Sequence, residues 1–281
     1  MKTIKKIKRM QEISDGLRRN KKTIGFVPTM GFLHKGHLSL IDIANKMSDV
    51  TVVSIFVNPT QFGPNEDFGN YPRDLERDKK LLREKGCSIL FYPDAKKMYN
   101  EGFRTEVYVK GLSKVLCGAT RKTHFKGVTT VVAKLFNIVK PDIAVFGQKD
   151  AQQAIIIKRM VKDLNYNIKI ITGPIIREDD GLAMSSRNIY LTKQQRKDAT
   201  ILYESLKEAK RMISNGEAKA SRVIKQMKKM ISSKKTARID YIKAVDTKEL
   251  KTVKYIKGEV LIAVACYFGR ARLIDNIIVN V

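Results

Sequence analysis

The chain has 281 residues, 43% hydrophobic and 30% charged, which provides apolar material for real cores and enough charge for a soluble surface. Its 55 Lys and Arg against 28 Asp and Glu give a net charge of +27, but the basic residues are spread along the chain and the sparse aromatics (7%, no Trp) do not interleave with them, so no nucleic-acid partner is expected. No apolar run approaches the roughly 18 residues that span a bilayer, so no membrane partner is expected, and the three scattered cysteines (Cys87, Cys117, Cys266) suit a reducing compartment rather than a disulfide frame.

From the N-terminus, "MKTIKKIKRMQEI" is basic but lacks the continuous apolar stretch of a secretory signal; Ile4, Ile7 and Met10 predict a short amphipathic helix. A buried strand over 22–28 ends at Pro28, and a helix covers 37–47. The nearly continuous β-branched run 50–57 predicts a strand covered on both faces. A charged helix over 74–86 closes at Gly86. Then come a strand (87–93), a helix (127–139), a strand (142–147), a helix (151–164) and a strand (167–174). Strands alternating with crossover helices predict a doubly wound α/β domain built on a parallel sheet. Beyond residue 175 the texture changes to helices over 193–213 and 220–231, then strands over 239–247, 259–269 and 272–279, the last two close enough for a hairpin. The organisation expected is an α/β domain over 1–175 and a smaller α+β domain over 176–281, with its use as a lid left open.

Ligands of doubly wound sheets bind beyond the C-terminal strand ends. Three polar, glycine-bearing segments follow strands there: "VPTMG" (27–31), "NPTQFG" (58–63) and "GQKD" (147–150). Two of the three histidines, His34 and His37, stand three apart where a helix opens, so their rings share a face. Gly36 clears space between them, and a helix start offers unpaired N–H groups and a field that favours anions. Imidazole donates to phosphate oxygens in either charge state, so the pattern points to phosphate handling. A zinc site needs further ligands that the neighbouring sequence does not supply; His124 stays open as a distant one. Lys149 is a candidate phosphate ligand, and Asp150 is a candidate acceptor for a ribose hydroxyl, a cap for the helix that follows, or both together. In "AMSSRN" (183–188), Ser185, Ser186 and Arg187 offer hydroxyls and a planar guanidinium, or an ordinary turn. Asn58, Gln61 and Gln153 are neutral amides suited to a carboxylate or hydroxyl, or they are surface amides.

H-x-G-H after one strand and M-S-S-R after another resemble the signatures of the nucleotidylyltransferase superfamily. Within it, "VPTMGFLHKGHLSL", "SIFVNPTQFGPNEDFGNYPRD", "HFKGVTTVVAKLFNIVKPDIAVFGQKDAQQ" and "REDDGLAMSSRN" together resemble the pantothenate synthetase (pantoate–β-alanine ligase) family, in order over residues 26–188. The resemblance implies a Rossmann-like N-terminal domain that holds nucleotide and pantoate, followed by the smaller α+β domain. It implies ATP-dependent condensation of pantoate with β-alanine to pantothenate through a pantoyl adenylate, with AMP and diphosphate released. It further implies Mg²⁺ and a cytoplasmic homodimer. Carried over, ATP would contact Met30, Gly31, Phe32, Leu33, His34, Lys35, Gly36 and His37, then Gly147, Gln148, Lys149 and Asp150, then Ile176, Met184, Ser185, Ser186 and Arg187. His37 would be the proton donor, with His34, Lys149 and Arg187 as its catalytic companions. Gln61 and Gln153 would hold pantoate, Gln61 also β-alanine, and the metal ligands stay unassigned. Where the family reads R-x-G-H-F this chain has "RKTHF", so Thr123 replaces the glycine of the loop that presents Arg121.

Overall fold

A computed structural model describes residues 1–64 and 66–281. Six short, mostly apolar segments build its first sheet: β1 (Lys2–Ile4), β2 (Ile24–Thr29), β3 (Val50–Ile55), β4 (Ile89–Phe91), β5 (Ile143–Gly147) and β6 (Lys169–Gly173). Their spatial order is β1-β4-β3-β2-β5-β6, and every neighbouring pair is parallel. β2 and β3 lie at the centre with Phe26 opposite Val52 and Val27 opposite Val53, all four buried, as the near absence of polar residues in these runs requires. The connecting helices are α1 (Ile7–Arg19), α2 (Lys35–Met47), α3 (Leu75–Glu84), α4 (Ala95–Met98), α5 (Cys117–Thr120), α6 (His124–Val139) and α7 (Ala151–Asp163). Most of α6 is buried, including every one of its Val and Thr residues, so packing outweighs their poor helix propensity.

The first predicted helix is corrected at its start. Lys2–Ile4 extends and pairs with Ile89–Phe91 as an edge strand, and helix begins only at Ile7. The free edge of β4 takes up the backbone groups of these residues, a partner that local periodicity does not reveal.

The chain leaves β2 for β3 on one side and leaves β5 for β6 on the other, so the strand order reverses between β2 and β5. Thr29 and Gly147 end the two strands that flank this switch point, where doubly wound sheets place their ligands.

Met1–Lys114, Gly118–Gly147 and Ile156–Pro174 form one compact unit. The second unit takes Val115–Cys117, Gln148–Ile155 and Ile175–Val281. It contains α8 (Lys193–Asp198), α9 (Ile201–Ser214), α10 (Ala220–Ser232) and an antiparallel sheet of β7 (Ala237–Asp246), β8 (Glu259–Phe268) and β9 (Ala271–Asn280). β8 and β9 form the expected hairpin, with Phe268 opposite Ala271 and Gly269 at φ +57 in the connection. Leu202, Leu206, Val223, Met227, Ile262, Val264 and Phe268 are among the core residues that join α9 and α10 to the sheet.

The single helix expected over 193–213 is broken at Ala199–Thr200. The Thr200 hydroxyl donates to Lys197 O at 3.0 Å, and the buried Asp198 carboxylate accepts from Gln194 and from Thr236. Side chains competing for backbone partners turn the chain here despite uninterrupted helical periodicity. Among the described residues no helix is long and apolar enough to cross a membrane.

Candidate active site

After β2 the chain makes a tight left-handed turn, with Gly31 at φ +84 and Phe32 at φ +50. A Cβ on Gly31 would lie 2.9 Å from Ile55 Cγ2 and 3.1 Å from Asp78 Oδ2, so only glycine fits. Asp78 of α3, 1% exposed, accepts from the backbone N–H of Phe32 and of Leu33, each at 2.8 Å. Burial pushes the Asp78 carboxyl up, opposed by these two bonds and by the neighbouring Arg77. Arg77 also lies 5.1 Å from the centre of the Phe32 ring. The Leu33 side chain is fully buried in the first unit's core.

His34 follows as the N-cap of α2. Its Nδ1 accepts from Gly36 N at 3.1 Å, while the N–H of His34 donates to His37 Nδ1 at 3.4 Å. The rings lie 4.0 Å apart, centre to centre, inclined by 35°. This is a capping box made of imidazoles. With both Nδ1 atoms accepting, each neutral ring must carry its proton on Nε2, so the backbone fixes the tautomer.

Most backbone N–H groups of this turn are already engaged. Gly31 N donates to Thr29 Oγ1, those of Phe32 and Leu33 to Asp78, and those of His34 and Gly36 to the imidazoles. Lys35 is exposed, and Met30 and Gly36 are half-buried.

The segment after β3 is a 3₁₀ turn, Pro59–Gln61, and its amides are buried rather than on the surface. Asn58 Nδ2 donates to Gln61 Oε1 at 3.0 Å and to Gly127 O at 3.1 Å. Gln61 thereby turns its Nε2 outward from that pair, 3.5 Å from Met30 Sδ. The Gln61 carbonyl is held by Arg121 Nη2 at 3.3 Å and by His124 Nδ1 at 2.9 Å. α6 passes so close that a Cβ on Gly127 would lie 2.3 Å from Thr60 O. Arg121 is fixed by Glu66, with bonds of 2.7 and 2.5 Å. Burial raises the Glu66 carboxyl, but Arg121 outweighs it and holds the group below the usual carboxylate range.

In the second unit, Gln148–Asp150 forms a 3₁₀ turn running straight into α7 at Ala151. Asp150 is exposed, its carboxylate 3.9 Å from Lys149 Nζ. Gln152 is structural: its Oε1 accepts from Cys117 N and its Nε2 donates to Val115 O. Gln153 beside it is half-buried. The segment carrying Ser185–Arg187 hangs from a small hairpin in which Met184 N donates to Ile176 O and Glu178 N to Leu182 O. Arg177 braces that hairpin through Gly181 O, the Asp275 carboxylate and the face of Tyr203, 3.7 Å from its centre. Ser185 caps a 3₁₀ turn over Ser186–Tyr190, its Oγ accepting from Arg187 N, and Ser186 is buried.

A family model described as pantoate-beta-alanine ligase matches residues 2–278. The chain belongs to the pantoate–β-alanine ligase family. The pantothenate synthetase of Caldicellulosiruptor bescii is 53% identical over 280 residues, covering 100% of this chain and 99% of its own. The crystal structure of pantothenate synthetase from Thermus thermophilus superposes with a TM-score of 0.94 at 42% identity, covering 99% of each chain. The Francisella tularensis pantoate-beta-alanine ligase, crystallised with beta-gamma ATP and beta-alanine, gives 0.80 at 36% identity, covering 99% of this chain and 97% of its own. The Rossmann-like α/β and α+β architecture is thus that of the pantoate–β-alanine ligases.

At the departure noted in "RKTHF", Thr123 takes φ −96 and ψ −13, open to any residue, and Arg121 is bonded to the Glu66 carboxylate. Asp78, Glu66, Asp275 and Asn276 carry no local mark of their role: Asp78 is one of several charges on α3, Glu66 sits in a polar loop, and Asp275 and Asn276 are a polar pair in the middle of the apolar strand β9.

Proposed function

We propose that this chain condenses pantoate with β-alanine through a pantoyl adenylate. The observation that carries the proposal is the stacked imidazole pair, whose protons are set on Nε2 at the end of β2. A free carboxylate has no leaving group for an amine to displace. In the first step a pantoate carboxylate oxygen attacks the α-phosphorus of ATP, the bond from that phosphorus to the bridging oxygen breaks, and diphosphate leaves. In the second, the β-alanine amine attacks the acyl carbon, AMP departs, and the nitrogen loses a proton as the amide forms.

His37 donates its Nε2–H in a hydrogen bond to the departing diphosphate, stabilising the charge that develops there, and His34 donates beside it. Met30 to His37, Gly147 to Asp150, Ile176 and Met184 to Arg187 form the ATP-binding set, with the Lys149 ammonium and Arg187 guanidinium neutralising phosphate charge. In that set Leu33 acts through its backbone, because its side chain is fully buried. Gln61 and Gln153 hold pantoate, and Gln61 also meets β-alanine. Asn58 supports this role by occupying Gln61 Oε1, which leaves the amide to act as donor toward an acid. Magnesium enters on the nucleotide as part of the substrate, since this ion keeps its waters and prefers phosphate oxygens with one or two carboxylates. Family membership further supports a homodimer working in the cytoplasm.

Isotope exchange of labelled diphosphate into ATP tests the first step. Exchange should require pantoate and not β-alanine; exchange of equal rate without pantoate would sink the adenylate. Product mass separates this reaction from nucleotidyl transfer to another acceptor, which forms no amide.

A further inference from the structure

We propose that Asn276 is a positioning residue for the nucleotide, acting through Lys149. Along β9, Leu273 and Val279 pack into the helical core, and alternation places Asn276 on the opposite face of the sheet. A polar side chain buried on an apolar strand must find partners, and Asn276, 3% exposed, finds three. Its Nδ2 donates to Gln148 O and to Lys149 O, both at 3.0 Å. Its Oδ1 accepts from Gln148 Nε2 at 2.9 Å. All the hydrogen-bonding groups of this amide therefore meet one dipeptide, the turn between β5 and α7.

This contact is unlike ordinary core satisfaction. It fixes two successive carbonyls, and with them the peptide planes on either side of the Lys149 Cα, which set where its side chain starts. An ammonium on a flexible stem is otherwise a poorly directed phosphate ligand. The adjacent Asp275, 2% exposed, does the equivalent for the other segment, holding Arg177 through bonds of 2.6 and 3.0 Å at the base of the hairpin that leads to Ser185–Arg187. Two neighbouring residues of the last strand thus tie down both stretches of the second unit assigned to ATP. The inference rests on the reading of Lys149 as a phosphate ligand.

A double-mutant cycle on the full-length chain tests it, with Asn276→Ala, Lys149→Ala and the pair assayed for ATP and pantoate separately. Asn276→Ala is expected to lower kcat/KM for ATP on the order of 10²-fold, with KM for pantoate unchanged. In the Lys149→Ala background the same substitution should have almost no further effect on ATP. Full additivity of the two losses, or an equal rise in KM for pantoate, overturns the proposal, because a merely structural asparagine would act without regard to Lys149. Should Asn276→Ala fail to fold by thermal melt, Asn276→Ser goes through the same cycle under the same criterion. Undiminished diphosphate exchange in Lys149→Ala alone would sink the assignment of Lys149, and the proposal with it, in an arm of its own.

Discussion

Asp78 offers the most demanding test of how the imidazole pair is held. The turn at Gly31 and Phe32 is unfavourable by itself, since a left-handed residue with a side chain costs roughly 1–2 kcal/mol. Asp78 offsets this by accepting two backbone N–H groups where water does not reach. Replacing it with alanine strands both donors at about 1–3 kcal/mol each, a sum of about 2–6 kcal/mol. Release of a buried carboxylate, whose proton affinity burial has raised, recovers part of that. Urea unfolding of Asp78→Ala should therefore show a loss of about 2–4 kcal/mol with an unchanged m-value. Asp78→Asn keeps one acceptor and sheds the charge, and should lose only about 1 kcal/mol. Because the turn leads directly into His34, the alanine variant should also lose on the order of 10²-fold in single-turnover rate. An alanine variant within about 0.5 kcal/mol of the parent that retains full turnover would refute the claim that this carboxylate holds the turn.

His37→Ala should slow single-turnover adenylation about 10²–10⁴-fold, with much less effect on ATP binding measured by equilibrium titration. Gly127→Ala should lose about 1–3 kcal/mol in a urea melt and raise KM for pantoate, since the new methyl meets Thr60 O beside Gln61. The Glu66 carboxyl, depressed below its ordinary 4.5 by Arg121, contributes stability that is present above that pH and lost as pH falls through its lower folded value. The stability gap between the parent and Arg121→Met should accordingly shrink between neutral pH and about pH 3; a constant gap would contradict it. Burial pushes the thiols of Cys87 and Cys266 up to about 11 and about 12, so neither should be labelled when the folded protein is treated with iodoacetamide at neutral pH, as peptide mapping would report.

The central strands of the parallel sheet were legible because short apolar runs of this kind fit little else; β3 and β5 fall within the predicted runs, and β2 extends one residue past the predicted end at Pro28. The β8–β9 hairpin was equally plain from its short glycine-bearing connection. Legibility failed where a distant partner decides the local structure, as when β4 draws Lys2–Ile4 into the sheet or Thr236 and Gln194 engage Asp198 at the helix break. The His34 and His37 pair was visible as a pattern at a helix start, but the use of the near side of each ring to engage a backbone N–H was not. Asn276 was invisible, because nothing near it in the chain announces that Gln148 lies against its strand.

On the proposed reading the imidazoles carry a double duty, capping the helix and meeting the leaving group, which constrains what can replace them. Lysine or arginine at position 34 would keep a cation for phosphate but has no acceptor with which to start the helix. Asparagine there would start it well, being a favoured first residue, yet would present no ring to the leaving group. Neither exchange keeps both features, so the ring at position 34 is tied to the start of α2 as well as to the proposed contact with the leaving group.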